Sequence, residues 1–385
     1  VWTDWGISPW LLKPDQRTLK FVDDVLDEVM RLFPSKYISI GGDEAAKDQW
    51  NASPEVQARM HKLGLRNMDQ LQAWFTNRVA AYLVEHGRTP VGWDDELVAG
   101  ATLPKSEVVM TWHAGDHGRV ALDAIRQGHA VVMAPEQSLY FDHYQSDLPD
   151  EWMGPPPVTT LRQVYDTAVV PDGATAAQAR KILGVQAQLW TELMPTFAND
   201  QHALFPRLAA LSEIAWSPPA AHDWNGFLAR MPAELARYRA LGIGYADGAF
   251  ASAFSVTVDA SGTQRVALSN QAGFGEIRYT TDGSAPTSNA AKYVQPLEFP
   301  AHDNAMLRAA AFAPDGFALS APRTRQLGAA ARSSRDGNEL VSCSDNPGMR
   351  VGGRQPAQGP RPVYKMDVGN MCWRWPQVPL GGTGH

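Results

Sequence analysis

The chain has 385 residues, 44% of them hydrophobic; this is ordinary globular composition, and the length predicts two or three domains rather than one core. Its 41 acidic against 34 basic residues leave a net charge of -7 and no basic run, which excludes a nucleic-acid surface built on clustered Lys and Arg. No apolar stretch approaches the ~20 residues of a membrane helix, and the thirteen Trp suit either a heavily packed core or flat aromatic walls of the kind sugar-binding clefts use.

Residues 1–14 have no period and carry Pro9 and Pro14, so they read as a loop. The chain starts at Val1 without a Met and looks like a processed or cut polypeptide, with the periplasm or the cell exterior as its expected location. Asp15 is placed to cap a helix whose Leu19, Val22, Val25, Leu26, Val29, Met30 and Phe33 recur at helical spacing and which Pro34 stops. An apolar strand, Tyr37 to Ile40, then runs into Gly41-Gly42-Asp43-Glu44.

The alternation repeats. Met68 to His86 predicts a helix, Thr89 to Trp93 a strand, Val108 to Trp112 a strand, Gly118 to Gln127 a helix and Ala130 to Ala134 a strand. A long loop carries Tyr140, Asp142 and Pro155-Pro156-Pro157. Ala176 to Ile182 predicts a helix and Leu183 to Trp190 the last strand, before helices over Gln201–Trp216 and Trp224–Leu241. Five strand-helix units predict an α/β fold: a partial (β/α)8 TIM barrel, with about three further units expected upstream of Val1. An open parallel sheet is the alternative.

From Phe250 the pattern changes to short alternating segments, at Phe254–Val258, Glu276–Thr280 and Leu307–Phe312, separated by Asp282-Gly283 and Asp315-Gly316. That predicts a small antiparallel β-sandwich. The expected domains are therefore a barrel over 1–245, the sandwich over 246–328, and a linker with a partial C-terminal β segment over 329–385. Cys343 and Cys372 lie in that last segment, where they either close one loop of an extracellular domain or stay as separate thiols.

Adjacent acids at a strand end carry a mechanistic hint. Side chains alternate along a strand, so the chain must turn at Glu44 if both carboxyls are to serve one cleft, and the two glycines permit that turn. Paired glycosidase carboxyls on opposite faces of a sugar normally come from different strands. Neighbours in sequence suit a different division, with one acid protonating a leaving oxygen and the other orienting a group already on the substrate.

Gly41-Gly42-Asp43-Glu44 after an apolar strand, with Trp50 beyond, resembles glycoside hydrolase family 20, the β-N-acetylhexosaminidases. Gly92-Trp93-Asp94, Thr111-Trp112, Tyr140-Phe141-Asp142, Gln188-Leu189-Trp190-Thr191-Glu192 and Ser212-Glu213-Ile214-Ala215-Trp216-Ser217 follow in the family's order. Ile277 to Gly283 with Pro286-Thr287 resembles the β domain that follows the barrel in many bacterial members. Ser39 departs from the pattern, since the family usually has a histidine in that strand.

The resemblance implies that the substrate's own acetamido oxygen is the nucleophile. It implies Glu44 as general acid/base, Asp43 as the carboxylate holding the acetamido N–H, and Tyr140 as a donor to the acetamido oxygen. Trp93, Trp112 and Trp190 would wall the sugar, and Asp142 and Glu192 would accept from its hydroxyls. The implied substrate is a glycan or chitin fragment ending in β-linked GlcNAc or GalNAc, with no metal or organic cofactor.

Other readings carry less. A nucleotide hydrolase would need a phosphate-binding G-x-x-x-x-G-K-[ST] loop, which is absent. His113 and His117 have an i, i+4 spacing that suits a metal only on a helix with a third ligand. Asp94, Asp95 and Glu96 read as a solvated loop with one supporting partner, although Asp94 directly follows Trp93. Glu213 and Trp216 read as structural. The alternative function is a carbohydrate-binding module that keeps the aromatic pocket without turnover.

Overall fold

The computed structural model of the protein describes residues 7–113, 118–301 and 303–328. His117, Cys343, Cys372 and the expected linker and C-terminal segment lie outside the described residues.

Helix α1 (Gln16–Leu32) starts where Asp15 accepts a hydrogen bond from the Thr18 amide at 2.9 Å. Leu19 and Leu26 are buried, but Val25 and Phe33, expected on the same face, are exposed. Phe33 precedes Pro34, which disfavours helical backbone one residue upstream, and it takes an extended conformation that carries it off the stripe.

Strand β1 (Tyr37–Gly41) leads to α2 (Asp48–Ala52) and α3 (Pro54–Lys62). These two short helices are not evident from periodicity. Ser53 caps the second, and together they bury Trp50, Val56 and Met60 against Met68 and Leu71. Helix α4 (Met68–Glu85) is capped by Asn67 and returns to β2 (Thr89–Trp93). Then come α5 (Asp95–Val98), β3 (Val108–Thr111), α6 (Arg119–Gln127), β4 (Ala130–Met133), α7 (Glu136–Leu139), α8 (Leu161–Tyr165), α9 (Ala176–Ala179) and β5 (Ile182–Val185).

β5 is shorter than expected. Regular pairing ends at Val185, and only a single bridge, Tyr140 to Gln188, continues it. The helix expected over Gln201–Trp216 is also two, α10 (Phe197–Leu204) and α11 (Arg207–Trp216), because Pro206 offers no amide to carry one helix through. Helix α12 (Trp224–Leu241) matches expectation.

The strands pair in parallel in the order β1-β2-β3-β4-β5, with helical crossovers, as five units of a (β/α)8 barrel. Leu103, Val109, Ala121, Ala124, Val131 and Met133 form the core between α6 and the sheet. The edge strands β1 and β5 leave Tyr37 and Leu183 exposed. Among the described residues no helix is long and apolar enough to cross a membrane.

Among the described residues seven strands follow: β6 (Ala253–Val258), β7 (Gln264–Ser269), β8 (Glu276–Thr280), β9 (Ala291–Lys292), β10 (Leu297–Phe299), β11 (Met306–Phe312) and β12 (Arg323–Gln326). They form two antiparallel sheets, β10-β7-β6 and β12-β11-β8-β9. Val266, Leu268 and Phe299 of one meet Leu307 and Ala309 of the other, which makes the expected small sandwich. It packs on the barrel side through Phe250, Ala311, Ala313 and Leu319 beside Leu235 and Tyr238 of α12. Arg323 adds ion pairs to Asp247 at 2.6 Å and Asp150 at 2.7 Å.

Candidate active site

Parallel strands all end on one rim, and the residues singled out from sequence sit at successive strand ends there. Asp43 and Glu44 follow β1, Trp93 closes β2, Trp112 follows β3, Tyr140 and Asp142 come after β4 and α7, and Trp190 follows β5. The C-terminal rim is where barrels of this kind place their chemistry.

The turn demanded by adjacent acids is present. Gly41 and Gly42 have φ of 70° and 100°, and Glu44 follows at 49°, the only non-glycine with positive φ among the described residues. Left-handed backbone costs a side-chain-bearing residue about 1–2 kcal/mol, so something must hold it. The Glu44 amide donates to Asp95 Oδ1 at 3.1 Å, and Gln72 Nε2 donates to the Gly42 carbonyl at 2.8 Å.

Both acids remain solvent-accessible, and the pKa of each is raised. For Asp43 the first cause is partial burial, with the charge of Asp95 adding to it. For Glu44 it is again burial, followed by the negative charges of Asp43, Asp95 and Glu136. Glu44 therefore keeps its proton to higher pH than a free glutamate, as a proton donor must.

Four aromatic rings form one continuous wall. Trp93 and Trp190 have centroids 6.4 Å apart, Trp190 and Tyr140 6.1 Å, and Tyr140 and Trp112 6.3 Å. Trp112 is oriented by its indole N–H, which donates to Asp95 Oδ2 at 2.7 Å. Burial, reinforced by the charge of Glu136, pushes the Tyr140 hydroxyl far above its ordinary pKa, so it stays a neutral donor.

The loop bearing Tyr140 and Asp142 is anchored on two sides. The Phe141 amide donates to the Gln188 carbonyl and the Gln188 amide to the Leu139 carbonyl, both at 2.8 Å, which also locates Trp190 two residues on. From beneath, fully buried Arg207 donates to the carbonyls of Phe141, His143, Thr159 and Ala203. Asp142 is buried, its pKa is pushed up to about 6 chiefly by desolvation, and its Oδ1 has no hydrogen-bond partner among the described residues. An acceptor without a partner at this rim suits a ligand hydroxyl.

Gly154 is a contact point on the same loop. A Cβ there would lie 2.4 Å from the Asp142 carbonyl oxygen and 3.3 Å from the Tyr144 amide, both backbone atoms that cannot swing aside. Gly154→Ala is expected to cost about 1–3 kcal/mol. Thermal unfolding of the full-length gene product checks this, and an unchanged melting temperature would contradict it.

The run Asp94-Asp95-Glu96 is not a solvated loop. Asp94 is fully buried and accepts from His113 Nδ1 at 2.7 Å; it faces that ring rather than a ligand. Glu96 is buried beneath Gly42, bound by Thr76 and Gln72, and its pKa is raised by desolvation to about 6. Asp95 links Glu44 to Trp112. A chain position directly after a strand-closing Trp was the available signal, but the partners come from β1, β3 and α4.

Asp94, Asp95 and His113 bring ligand-type atoms within 4.8 Å of one another. Their hydrogen bonds to each other, to Glu44 and to Trp112 already engage those atoms. Glu192 is exposed, and its charge is felt at Asp142. Glu213 is structural, accepting from Tyr165 at 2.9 Å and pairing with Arg230, whereas Trp216 is 90% exposed rather than packed.

A family model described as glycosyl hydrolase family 20, catalytic domain, matches residues 1–219. The chain belongs to this family. A second model, Fn3 associated, matches residues 266–320, within the sandwich. Among curated relatives of this family-20 chain, a β-hexosaminidase of Porphyromonas gingivalis is 34% identical over 73% of the chain and 36% of the relative. A β-hexosaminidase of Akkermansia muciniphila is 30% identical over 59% of the chain and 45% of the relative.

The crystal structure of a GH20 exo-β-N-acetylglucosaminidase from Vibrio harveyi with N-acetylglucosamine superposes with a TM-score of 0.56 at 30% identity, covering 61% of this chain and 36% of that one. The β-N-acetylhexosaminidase of Bacteroides fragilis gives 0.55 at 28% identity, covering 61% and 47%. The family-20 chain thus spans between about a third and a half of the length of these relatives.

Proposed function

We propose that the protein removes terminal, non-reducing β-linked N-acetylhexosamine, as GlcNAc or GalNAc, by substrate-assisted retaining hydrolysis. The observation that carries this reading is the four-ring wall beside an acid pair whose second member is turned into left-handed backbone. The hexosaminidase relatives and the Vibrio harveyi complex support the sugar class.

In this reading Glu44 starts protonated and gives its proton to the glycosidic oxygen while the acetamido oxygen attacks the anomeric carbon. The departing alcohol carries that proton away, leaving an oxazolinium ring. Asp43 accepts from the acetamido N–H and stabilises the positive charge on that ring. Tyr140 donates to the acetamido oxygen, fixing its angle of attack. Ionised Glu44 then takes a proton from water as it adds to the anomeric carbon, and the acetamido group reforms.

Trp93, Trp112, Trp190 and the Tyr140 ring exclude water around the acetamido methyl and the sugar face. Asp142 and Glu192 accept from sugar hydroxyls and orient the ring. No step calls on a metal or an organic cofactor.

A GlcNAc-thiazoline, which mimics the cyclised intermediate but cannot open, tests the substrate-assisted step. The full-length gene product is expected to hydrolyse an aryl β-N-acetylglucosaminide and to bind the thiazoline at least 10²-fold more tightly than GlcNAc. Hydrolysis without such inhibition would point to an enzyme nucleophile. Binding of GlcNAc with no hydrolysis would support the carbohydrate-binding alternative.

A further inference from the structure

We infer that Asp95 is the positioning residue of this site, one carboxylate that holds both the acid/base backbone and the indole wall in register. The inference rests on the proposed hydrolysis and extends it to a residue whose two oxygens are both taken by protein donors.

Asp95 begins α5, two residues past the end of β2, the strand that lies between β1 and β3 in the sheet. Its two oxygens point to those two neighbours. Oδ1 accepts from the Glu44 amide at 3.1 Å, and Oδ2 accepts from the Trp112 indole at 2.7 Å. The first bond falls on the only non-glycine residue with positive φ among those described, and the second on a ring of the pocket wall. A strained backbone persists only where its surroundings over-determine it. Here a single rigid carboxylate ties that backbone to the wall.

The flanking residues hold Asp95 in turn. Asp94 is locked to His113, and Glu96 to Thr76 and Gln72, the latter also gripping the Gly42 carbonyl. The three acids therefore clamp the ends of β1 and β3 to α4. Neither a carboxylate displaced by a methylene nor an amide in place of Asp95 satisfies both donors, since an amide has only one accepting atom.

Asp95 also acts through its charge. The groups bearing on the Glu44 carboxyl are Asp43 beside it, Asp95 after β2 and Glu136 after β4, all negative, and all favour its protonated form. Removing one of these charges lowers the Glu44 pKa, so the alkaline limb of kcat/KM moves to lower pH.

Two variants of the full-length gene product, assayed on an aryl β-N-acetylglucosaminide from pH 4 to 9, separate these effects. Asp95→Asn is expected to reduce kcat about 10²-fold, the scale of a small misplacement of a reacting group, and to shift the alkaline limb to lower pH. Asp95→Glu keeps the charge but moves the oxygens, so kcat falls while the limb stays in place; it also serves if the amide variant does not fold. Wild-type kcat and an unmoved limb in both folded variants would overturn the inference. An inactive wild type would instead overturn the proposed hydrolysis.

Discussion

Glu44→Gln is expected to lower kcat about 10²–10⁴-fold on an alkyl N-acetylglucosaminide, the range that positioned proton transfer supplies. The amide nearly matches the carboxyl in shape and can keep the backbone turn, because the hydrogen bond to Asp95 is donated by the Glu44 backbone N–H and does not involve the Glu44 side chain. In the proposed mechanism, what disappears is the proton delivered to the leaving oxygen and the base that later activates water. With a nitrophenyl leaving group, which departs without a proton, the loss in the first step should shrink, while breakdown of the oxazolinium stays slow. Steady-state and burst kinetics on the two substrates measure this, and wild-type kcat on the alkyl substrate would remove Glu44 from its role.

The second large effect concerns stability. Arg207 is fully buried, and burial depresses its pKa to about 9, so it remains charged at neutral pH. Its guanidinium sits 4.8 Å above the Phe141 ring and donates to four backbone carbonyls on three segments of chain. Arg207→Met fills much of the volume but strands the Phe141, His143 and Thr159 oxygens, each at about 1–3 kcal/mol, while the Ala203 carbonyl keeps Gln145 Nε2 at 3.4 Å. We expect a loss of about 4 kcal/mol or more in denaturant unfolding of the full-length gene product. Arg207→Lys should recover only part, because one ammonium cannot reproduce the planar fork. A loss below about 1 kcal/mol for Arg207→Met would show that this loop is held by other contacts.

The same residue links stability to chemistry. The carbonyls that Arg207 holds flank Tyr140 and Asp142, so a loosened loop would misplace the proposed acetamido donor and the proposed sugar acceptor together. Partial retention of fold in Arg207→Lys should therefore come with a fall in kcat at temperatures where the variant is still fully folded.

Much of this was legible from local pattern. The cap at Asp15, the span of β2, the long α12 and the change to alternating strands after Phe250 follow from spacing and punctuation, which act over a few residues. The break at Pro206 was not, because helical periodicity runs on both sides of it and a proline does not always end a helix, as Pro232 inside α12 shows. The short helices α2 and α3 were harder, since α2 has five residues and α3 buries only Val56 and Met60, too sparse an apolar stripe to register.

The sequence by itself determined the strand-loop-helix rhythm, the acid pair after two glycines, and the ordered aromatic and acidic motifs that identify the family. Only the tertiary structure decided what Asp94, Asp95, Glu96 and Arg207 do. Three consecutive acids are locally indistinguishable from a solvated loop; their burial depends on Thr76, Gln72, His113 and the Glu44 amide, which arrive from other strands and helices. An arginine on a helix is ordinarily a surface residue, and here it is interior because three carbonyls from distant segments converge on it beside that of Ala203, four residues upstream. Local sequence sets which hydrogen-bonding groups exist, whereas the packing of the barrel sets which of them must find each other away from water.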